Sequence, residues 1–439
     1  MVRRAIFMVA ALAIAVSILP RQAFAEMKYK AGFYERLRHE FWLNNRDLNS
    51  QAADAGDRNF FRVKTSIWGQ ADYDDLASVY AKITNEWKAY PYYGGNTKKG
   101  LKGDADEIII DNLYMDLKKP GGLPVTFRVG RQDLIGQYGE SFLIADGTPG
   151  DGSRTFYFNA VKASWEVDPQ NTLDMIWLND PHTDQWAIIK EAEPATAVNL
   201  SDEAGFIVDL KNKAIKDLLL EPYYIYKHEG GGGAGLQALT GRIHTVGAFA
   251  KYAMSPWTFR AQLADQSGDY GPNDRQAIGG YGFIDRDFKS LPFTPVLSAG
   301  YIYLSGDNKN TTKNEGWDPL FCRFPLWSEI IPQVYQSESG NSYWTNLQMY
   351  RTQALFQLTK KAKLLLNYSF LRANELMSPV GTMFGSGKNR GSLYQAKVDY
   401  AFTKNVCGFI QSEYFNPGNF YASGTDGAIF TRTQLEIKF

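Results

Sequence analysis

The stretch "TRTQLEIKF", residues 431–439, alternates in polarity from its first residue to its last. One parity holds Thr431, Thr433, Leu435, Ile437 and Phe439, and the other holds Arg432, Gln434, Glu436 and Lys438. Successive side chains of a β-strand point to opposite faces, so this stretch is predicted to be a strand with one weakly polar or apolar face and one fully polar face. An apolar face that reaches an aromatic last residue is an unusual end for a soluble domain.

Residues 1–25 have the layout of a secretory signal peptide. Arg3 and Arg4 precede an apolar run over residues 5–19, and the small-x-small triplet Ala23, Phe24, Ala25 follows. The run is too short for a spanning helix, which needs roughly 20 apolar residues. The sequence therefore predicts a signal peptide over 1–25 and a single domain over 26–439.

The composition excludes two broad classes of protein. The chain has 47 basic and 47 acidic residues, and loss of the leader with its three arginines leaves a net charge of about −3. Nucleic-acid binding normally requires a basic excess, so no nucleic-acid partner is expected. Aromatic residues make up 14% of the chain, and no later apolar run approaches the length of a spanning helix, which excludes a helical membrane protein.

The alternation of the last nine residues recurs along the chain, for example in "FRVKTSIW" (61–68), "WTFRAQLA" (257–264) and "LYQAKVDYAF" (393–402). Period-two polarity indicates half-buried strands. Such runs predict eighteen strands, with sixteen as the alternative count. The predicted ranges are 29–42, 59–70, 77–88, 107–117, 124–132, 155–165, 171–179, 203–210, 218–228, 242–251, 256–265, 278–284, 295–305, 346–358, 363–373, 391–402, 405–415 and 429–439.

The predicted connections alternate in length. Every connection from an even-numbered to an odd-numbered strand is short, as in 71–76 and 403–404, and every connection from odd to even is long, as in 133–154 and 306–345. Transmembrane β-barrels have this asymmetry, with tight periplasmic turns and extended outer loops. The sequence therefore predicts an all-β fold, a transmembrane antiparallel up-and-down β-barrel in the outer membrane of a Gram-negative-type envelope.

A soluble sandwich of two packed sheets is the alternative fold, but its long connections need not collect at one end. Aromatic residues near strand ends favour the barrel, whose lipid-facing band is flanked by aromatic girdles. Lipid offers no hydrogen-bond partner, so the last strand is expected to close against the first, "KYKAGFYERLRHEFW" (28–42). The predicted girdle residues are Phe41, Trp42, Trp87, Trp165, Trp177, Trp257, Phe402 and Phe415.

If the apolar parity faces lipid, the polar parity lines a lumen. Basic residues outnumber acidic ones on that face, and patches of arginine and lysine favour the passage of anions. The alternative is that these charges pair with acids and stiffen the wall, because barrel interiors are generally polar. Glu35 lies on the lipid parity, which indicates a position near an interface or beside a bulge. The candidate pore-lining residues are Arg36, Arg38, Arg62, Lys64, Arg128, Lys162, Arg260, Arg351 and Lys397.

Two stretches resemble the alginate-export family of outer-membrane proteins. Residues 108–166 combine an acidic-aromatic strand, a tight turn, the element "VGRQ", a loop and the Arg-x-Phe strand start of "SRTFYF", and residues 393–439 contain "YFNPGNFY". The resemblance implies an eighteen-stranded barrel that exports an anionic exopolysaccharide such as alginate through an electropositive lumen. It also implies periplasmic export partners, and recognition of the aromatic chain end by the barrel-assembly machinery.

The same resemblance adds Arg131 and Arg154 to the candidate pore-lining residues, and it includes Arg128 of "FRVGRQ". Arg131 and Arg128 have opposite parity, so only one of them can face the lumen of an unbroken strand.

Signals for catalysis and for cofactors are weak. The four histidines are scattered, and the glycine-rich segment 229–241 lacks the Gly-Lys-Ser/Thr of a phosphate loop. The nearest approach to a nucleophile–base pair is His244 beside Thr245. Asp146 and Asp151 are candidates for a loop calcium ion, without EF-hand spacing. We expect no enzyme activity and no cofactor.

Two cysteines in a secreted chain raise the question of a disulfide. We expect Cys322 and Cys407 at opposite ends of the wall, and bridged cysteines need Cα atoms within about 7 Å, so no bridge is predicted.

The sequence thus predicts a porin-like outer-membrane channel with a basic lumen, acting in export of an anionic exopolysaccharide. The alternatives are an uptake porin for small anionic solutes, or a plugged adhesin whose loop 306–345 binds a surface ligand through Trp317, Trp327 and Trp344. The expected partners are outer-membrane lipid, the barrel-assembly machinery, the transported anion and periplasmic export proteins, and the barrel is expected to be a monomer.

Overall fold

The computed structural model describes most of the chain after residue 25. The described residues are 26–51, 57–90, 103–104, 108–147, 156–184, 187–189, 201–230, 240–323, 325–377 and 383–439. Their strands form one antiparallel sheet, in which eighteen long strands make up the wall. Two short segments, Gly103–Asp104 and Ala187–Ile189, pair with the ends of wall strands at the long-connection end of the barrel.

The wall strands are numbered β1 to β18 in chain order. They are β1 Met27–Leu43, β2 Arg58–Tyr73, β3 Ala77–Ala89, β4 Ile108–Lys118, β5 Val125–Asp133, β6 Tyr157–Asp168, β7 Asn171–Asp180, β8 Asp202–Asn212, β9 Leu218–Gly230, β10 Gly241–Met254, β11 Trp257–Tyr270, β12 Asn273–Asp287, β13 Val296–Leu304, β14 Leu347–Gln357, β15 Ala362–Arg372, β16 Asn389–Ala401, β17 Val406–Pro417 and β18 Ala428–Lys438.

The sheet closes on itself between its last and first strands. β18 pairs antiparallel with β1, from Lys438 opposite Tyr34 to Ile429 opposite Leu43. Phe439 extends the seam, since its N–H donates to the Phe33 carbonyl and its carbonyl accepts from the Phe33 N–H, both at 3.0 Å. Every other wall strand pairs with its neighbours in sequence, so the fold is an up-and-down barrel. The predicted count of eighteen is confirmed, and sixteen is wrong.

The outer face of the wall is apolar. Four aliphatic side chains on four different strands are 61–63% exposed: Ile67, Val246, Leu263 and Ile410. Apolar side chains this exposed would be unfavourable in water but are suited to contact with lipid. Glu35 also lies on this face, where its carboxylate accepts a hydrogen bond of 2.7 Å from the Thr65 hydroxyl. Its partner on β18 is Ile437, close to the end of that strand, so Glu35 sits near the rim of the wall.

The predicted aromatic girdle is correct in part. Trp165, Trp177 and Phe402 are 40–55% exposed, as a lipid-facing girdle requires. Trp42 and Phe415 are buried instead, and the prediction is wrong for both. They have the inner parity of their strands, at the long-loop end, where inward-folded loops pack against the wall.

The short turns lie at one end of the barrel, and the long connections lie at the other. One connection breaks the predicted rule, because only Gly271 and Pro272 join β11 to β12. Gly271 has φ +57°, a conformation that glycine adopts at little cost and that permits the tight turn. The polar residues on either side of this turn led to the prediction of a loop, but they extend both strands beyond the apolar band. The predicted long connection over 266–277 is therefore wrong.

Two of the long connections fold into the barrel. The first, loop A, comprises residues 134–147 after β5, and the second, loop B, comprises residues 305–346 between β13 and β14. Loop B contains the helix α1, Ile330–Ser339, whose buried residues include Val334 and Tyr335. In the described part of the chain, no helix is long and apolar enough to span a membrane.

The two cysteines lie in different surroundings, and no disulfide joins them. Cys322 is buried in loop B, and Cys407 is exposed near the short-turn end of β17.

Candidate functional site

The inner face of β1 to β3 carries a group of paired charges. Arg36 of β1 and Arg62 of β2 each donate to the Glu86 carboxylate of β3, both at 2.7 Å. Cross-strand register explains the contact, because Arg36 lies opposite Lys64, which lies opposite Glu86. The polar parity of three neighbouring strands therefore meets at one place on the wall.

A second carboxylate, Glu40, is shared by three arginines. Its Oε1 lies 3.2 Å from Arg38 Nη1, 2.8 Å from Arg432 Nη2 and 3.5 Å from Arg62 Nη1. Glu40 is 1% exposed, so its charge is compensated by these guanidinium groups rather than by water. Arg432 reaches Glu40 because closure of the barrel places the two residues opposite each other on β18 and β1. We call the set Arg36, Arg38, Arg62 and Arg432 the arginine group.

Further ion pairs continue along the wall toward β6. Lys82 Nζ lies 2.9 Å from the Asp111 carboxylate, and Arg128 Nε lies 2.7 Å from that of Asp116. Arg128 also stacks over the Tyr114 ring at 4.0 Å. The wall is therefore a lattice of alternating charge, in which basic groups rarely face the lumen without an acid beside them.

Loop A docks on the wall from β6 to β12. The Tyr138 hydroxyl donates to the Asp174 carboxylate at 2.8 Å, and Lys162 Nζ lies 3.3 Å from the same carboxylate. Farther around the wall, Arg260 Nη1 donates to Glu140 of the loop at 2.7 Å, and its Nε donates to Asp285 of β12 at 2.8 Å. Lys162 and Arg260 therefore hold the loop as well as lining the wall.

Loop B docks on the opposite part of the wall, from β14 to β18. The Trp327 carbonyl accepts hydrogen bonds of 3.1 Å from Arg351 Nη1 and from the Gln395 side-chain amide. The Glu413 carboxylate of β17 accepts from the Ser328 hydroxyl at 2.6 Å and from the Glu329 N–H at 3.1 Å. A carboxylate at this position also complements the positive end of α1.

The Glu329 side chain then reaches the arginine group. Its two carboxylate oxygens accept from Nη1 and Nη2 of Arg432 at 2.5 and 3.0 Å, which is a fork-to-fork ion pair.

The two loops meet in the interior. The N–H of Ala145 and that of Asp146 both donate to the Phe321 carbonyl, at 2.8 and 2.9 Å, and the Phe321 N–H donates to the Leu143 carbonyl at 3.0 Å. The Asp146 carboxylate accepts the Arg323 N–H at 2.7 Å. Burial raises the pKa of the Asp146 carboxyl to about 7, although the Arg323 charge opposes the shift.

Buried charges fasten this junction to the wall. Arg323 Nη1 donates to the Glu203 carboxylate of β8 at 2.5 Å. Lys227 of β9 lies between the Glu203 and Glu229 carboxylates and donates to the Leu320 carbonyl of loop B at 3.0 Å. These contacts make the inward position of loop B part of the fold.

The structure brings most of the predicted pore-lining residues to the inner face. Arg36, Arg38, Arg62, Lys64 and Arg128 lie on one side of the lumen, and Lys162, Arg260 and Arg351 contact the inward loops. Lys397 pairs with Asp399 at 2.8 Å near the short-turn end. Arg154 lies outside the described residues.

Arg131 is the exception among the predicted residues. It is 2% exposed, and its Nη2 donates to Asp184 of the β7–β8 connection at 3.0 Å, while its guanidinium stacks 3.7 Å from the Tyr157 ring. Both pairing ladders of β5 continue through the neighbouring Gly130 without a register shift, so Arg131 keeps the parity opposite to that of Arg128. Arg131 is therefore locked in packing contacts, and its assignment to the lumen surface is wrong.

The candidate nucleophile–base pair does not assemble. His244 Nδ1 pairs with the Tyr224 hydroxyl at 2.8 Å on the outer face, whereas Thr245 is fully buried on the other, so the two cannot act together. The Asp146 carboxylate is engaged by Arg323, and Asp151 lies outside the described residues.

Sequence reasoning missed Arg432, Glu329, Lys227 and Arg323. Arg432 was detectable, because it lies on the polar parity of the last strand. The other three act through contacts across the lumen, which no local pattern reports.

A sequence model described as "Alginate export" matches residues 31–433, which is nearly the whole chain. The chain belongs to the alginate export family. No curated protein matches the sequence.

Solved structures of Pseudomonas aeruginosa outer-membrane proteins have the same fold. OccK8 (OprE) matches with a TM-score of 0.58 at 12% identity, and OccK5 (OpdH) with 0.56 at 12%, each over 94% of this chain and 98% of that chain. OpdK, solved with vanillate, matches with a TM-score of 0.55 at 10% identity over 93% and 98%. At these identities the likeness establishes the fold alone.

The family and the fold together place this member of the alginate export family in the outer membrane as a multi-pass porin-like barrel. Its outer wall contacts membrane lipid, and the family and fold are those of a transport barrel.

Proposed function

We propose that this protein is a passive outer-membrane channel that exports an anionic polysaccharide such as alginate. The observation that supports it is the arginine group on the inner wall of a barrel from the alginate export family. Four guanidinium groups surround two wall carboxylates there: Arg36, Arg38, Arg62 and Arg432 around Glu40 and Glu86.

The balance of charge suits movement of a polyanion. Four positive charges against two negative ones leave an excess that attracts carboxylates. The acidic residues between the arginines lower the affinity of any one site for a polymer unit. Conduction requires this, because a unit that binds too tightly cannot move on. Lys64 adds a further basic residue beside this group, opposite Arg36 on the neighbouring strand.

Export of this kind needs no bond chemistry, so we propose that the protein is not an enzyme and uses no cofactor. We propose further that residues 1–25 are a cleaved signal peptide, that the barrel-assembly machinery inserts the chain, and that the monomeric barrel works with periplasmic export proteins.

A second candidate is an uptake porin for small anionic solutes. The inward packing of loops A and B favours it, because these loops narrow the lumen available to a polymer. The adhesin alternative is less well supported, since Trp317 and Trp344 are only 3% and 2% exposed and cannot stack on a surface ligand.

Planar-bilayer recording tests the proposal. Across a KCl gradient, the sign of the reversal potential should report a preference for chloride, and a preference for potassium would rule out passage of a polyanion. Liposomes loaded with a uronate polymer separate the two candidates: release of the polymer supports export, and entry of monomeric glucuronate without polymer release supports uptake.

A further inference from the structure

Arg432 divides its guanidinium between the wall and a loop. Its Nη2 lies 2.8 Å from Glu40 of β1, and both terminal nitrogens bind the Glu329 carboxylate of loop B. Paired N–H groups facing two carboxylate oxygens are the geometry with which arginine recognises a carboxylate. One face of the arginine group is thus already arranged as a carboxylate site, and a residue of this chain occupies it.

Glu329 changes the charge of the arginine group. The wall alone places four arginines against Glu40 and Glu86, which leaves an excess of two positive charges. Glu329 reduces that excess to one. Its side chain is 18% exposed, compared with 2% for Glu40, so water and solutes reach this carboxylate more readily than those of the wall.

The backbone around Glu329 is anchored independently of its side chain. The Trp327 carbonyl is held by Arg351 and Gln395, and the N–H groups of Glu329 and Ile330 are held by Glu413. The carboxylate can therefore leave Arg432 by side-chain rotation, while loop B keeps its position.

The geometry points to a carboxylate-binding subsite at Arg432 in which Glu329 stands in for the ligand. The ligand that displaces it is the carboxylate of an acidic sugar, a uronate unit, on its way through the lumen. This inference rests on the proposed function, since it needs an anionic saccharide in the channel. It adds a specific exchange: the loop carboxylate and the uronate carboxylate compete for one guanidinium fork.

Glucuronate serves as the probe, and block of the KCl current through single barrels gives its half-saturating concentration. Replacing Glu329 with Gln removes the competing charge while keeping the shape of the side chain. We expect the half-saturating concentration to fall about tenfold in Glu329→Gln, the order that a charge-assisted pair represents. Glucose, which lacks the carboxylate, should produce no such block in either protein.

Two further variants assign the effect to Arg432. In Arg432→Gln, glucuronate should block no better than glucose. The double variant Glu329→Gln with Arg432→Gln should have the same half-saturating concentration as Arg432→Gln alone, because without Arg432 the Glu329 carboxylate competes for no guanidinium group. If the half-saturating concentration also falls tenfold in the double variant, the binding site lies elsewhere and the inference is overturned.

Glu338 supplies the matched control, because it is a second loop B carboxylate paired with a wall arginine. It binds Arg390 of β16 at 2.6 Å, at the other end of the helix and away from the arginine group. Glu338→Gln should keep the wild-type half-saturating concentration. An equal fall in the half-saturating concentration in Glu338→Gln would contradict the inference. It would show that a looser loop B, and not the removal of the carboxylate from Arg432, exposes the site.

The wild-type reversal potential separates the inference from the proposed function. A potassium-selective wild type overturns both. A chloride-selective wild type, together with a Glu329→Gln variant whose half-saturating concentration is unchanged, overturns the inference alone.

Discussion

Lys227 Nζ lies 3.3 Å from the Glu203 carboxylate, and neither side chain is exposed. The same ammonium group contacts Glu229 and the Leu320 carbonyl, so it joins β8, β9 and loop B. Lys227 therefore compensates two carboxylates at a buried position, and of these Glu203 is also paired with Arg323.

Replacing Lys227 with Ala should destabilise the barrel. Removing one partner of a buried ion pair costs about 3–5 kcal/mol. The free energy of unfolding, measured with urea in detergent micelles, should fall by that amount, and single-channel recordings should show added current fluctuation as loop B loosens. Lys309→Ala is the control, because Lys309 pairs with Asp307 on the exposed surface of the same loop. Equal losses in the two variants would contradict a special role for Lys227.

The arginine group predicts a change in ion preference when one guanidinium is removed. Arg62 touches both Glu40 and Glu86, so Arg62→Gln leaves these carboxylates with less compensation and makes the wall more negative. The ratio of chloride to potassium permeability should fall about twofold, as judged from reversal potentials.

Lys119→Gln provides the comparison for that measurement, because Lys119 pairs with Glu166 on an exposed turn outside the lumen. Its permeability ratio should equal that of the wild type. An unchanged ratio in Arg62→Gln would mean that ions pass at a distance from the arginine group.

The wall could be predicted from sequence because its signal is local. Alternation over about ten residues follows from two-sided strands, and every one of the eighteen predicted strands overlaps a wall strand. Prediction from alternating polarity failed where a polar segment of two strands was taken for a loop. The segment 266–277 is polar because β11 and β12 rise past the lipid, and only Gly271 and Pro272 turn the chain.

The candidate site was predictable only in part, for a related reason. Parity alone identifies inner residues such as Arg36, but it does not reveal which acid each one meets. Arg323 and Asp146 are 177 residues apart in sequence, and their contact depends on both loops folding inward. The family resemblance assigned Arg131 to the lumen, whereas parity already set it opposite to Arg128, and β5 pairs through both residues without a register shift.

The seam between β18 and β1 predicts a role for Phe439 in assembly. Its backbone makes two hydrogen bonds to Phe33, and its ring is 71% exposed on the outer face. Deleting Phe439 should therefore leave Phe33 unpaired and reduce the amount of folded, heat-modifiable barrel in the outer membrane. Phe402→Ala, which removes another exposed aromatic ring without shortening the seam, should insert normally. Normal insertion of the shortened chain would contradict this account.

The contact between loops A and B should weaken as the pH rises. The pKa of Asp146 is raised to about 7 by burial, so the folded protein favours the protonated carboxyl. The resulting stabilisation is fully present below about pH 4, the ordinary range of a free aspartate, and is lost as the pH rises through about 7.

Hydrogen exchange measures this loss, because the Ala145 and Asp146 amides donate to Phe321 across the contact. After correction for the intrinsic pH dependence, their protection should fall by about a hundredfold between pH 5 and pH 8, since each pH unit between 5 and the raised pKa is worth about tenfold. Asp146→Asn should remove the trend, since its amide does not titrate. Asp426→Asn should leave the trend intact, because hydrogen bonds from Ser50 lower the pKa of Asp426 and keep its titration below this window. A wild-type protection that stays level from pH 5 to pH 8 would show that the Asp146 carboxyl has no part in holding the loops together.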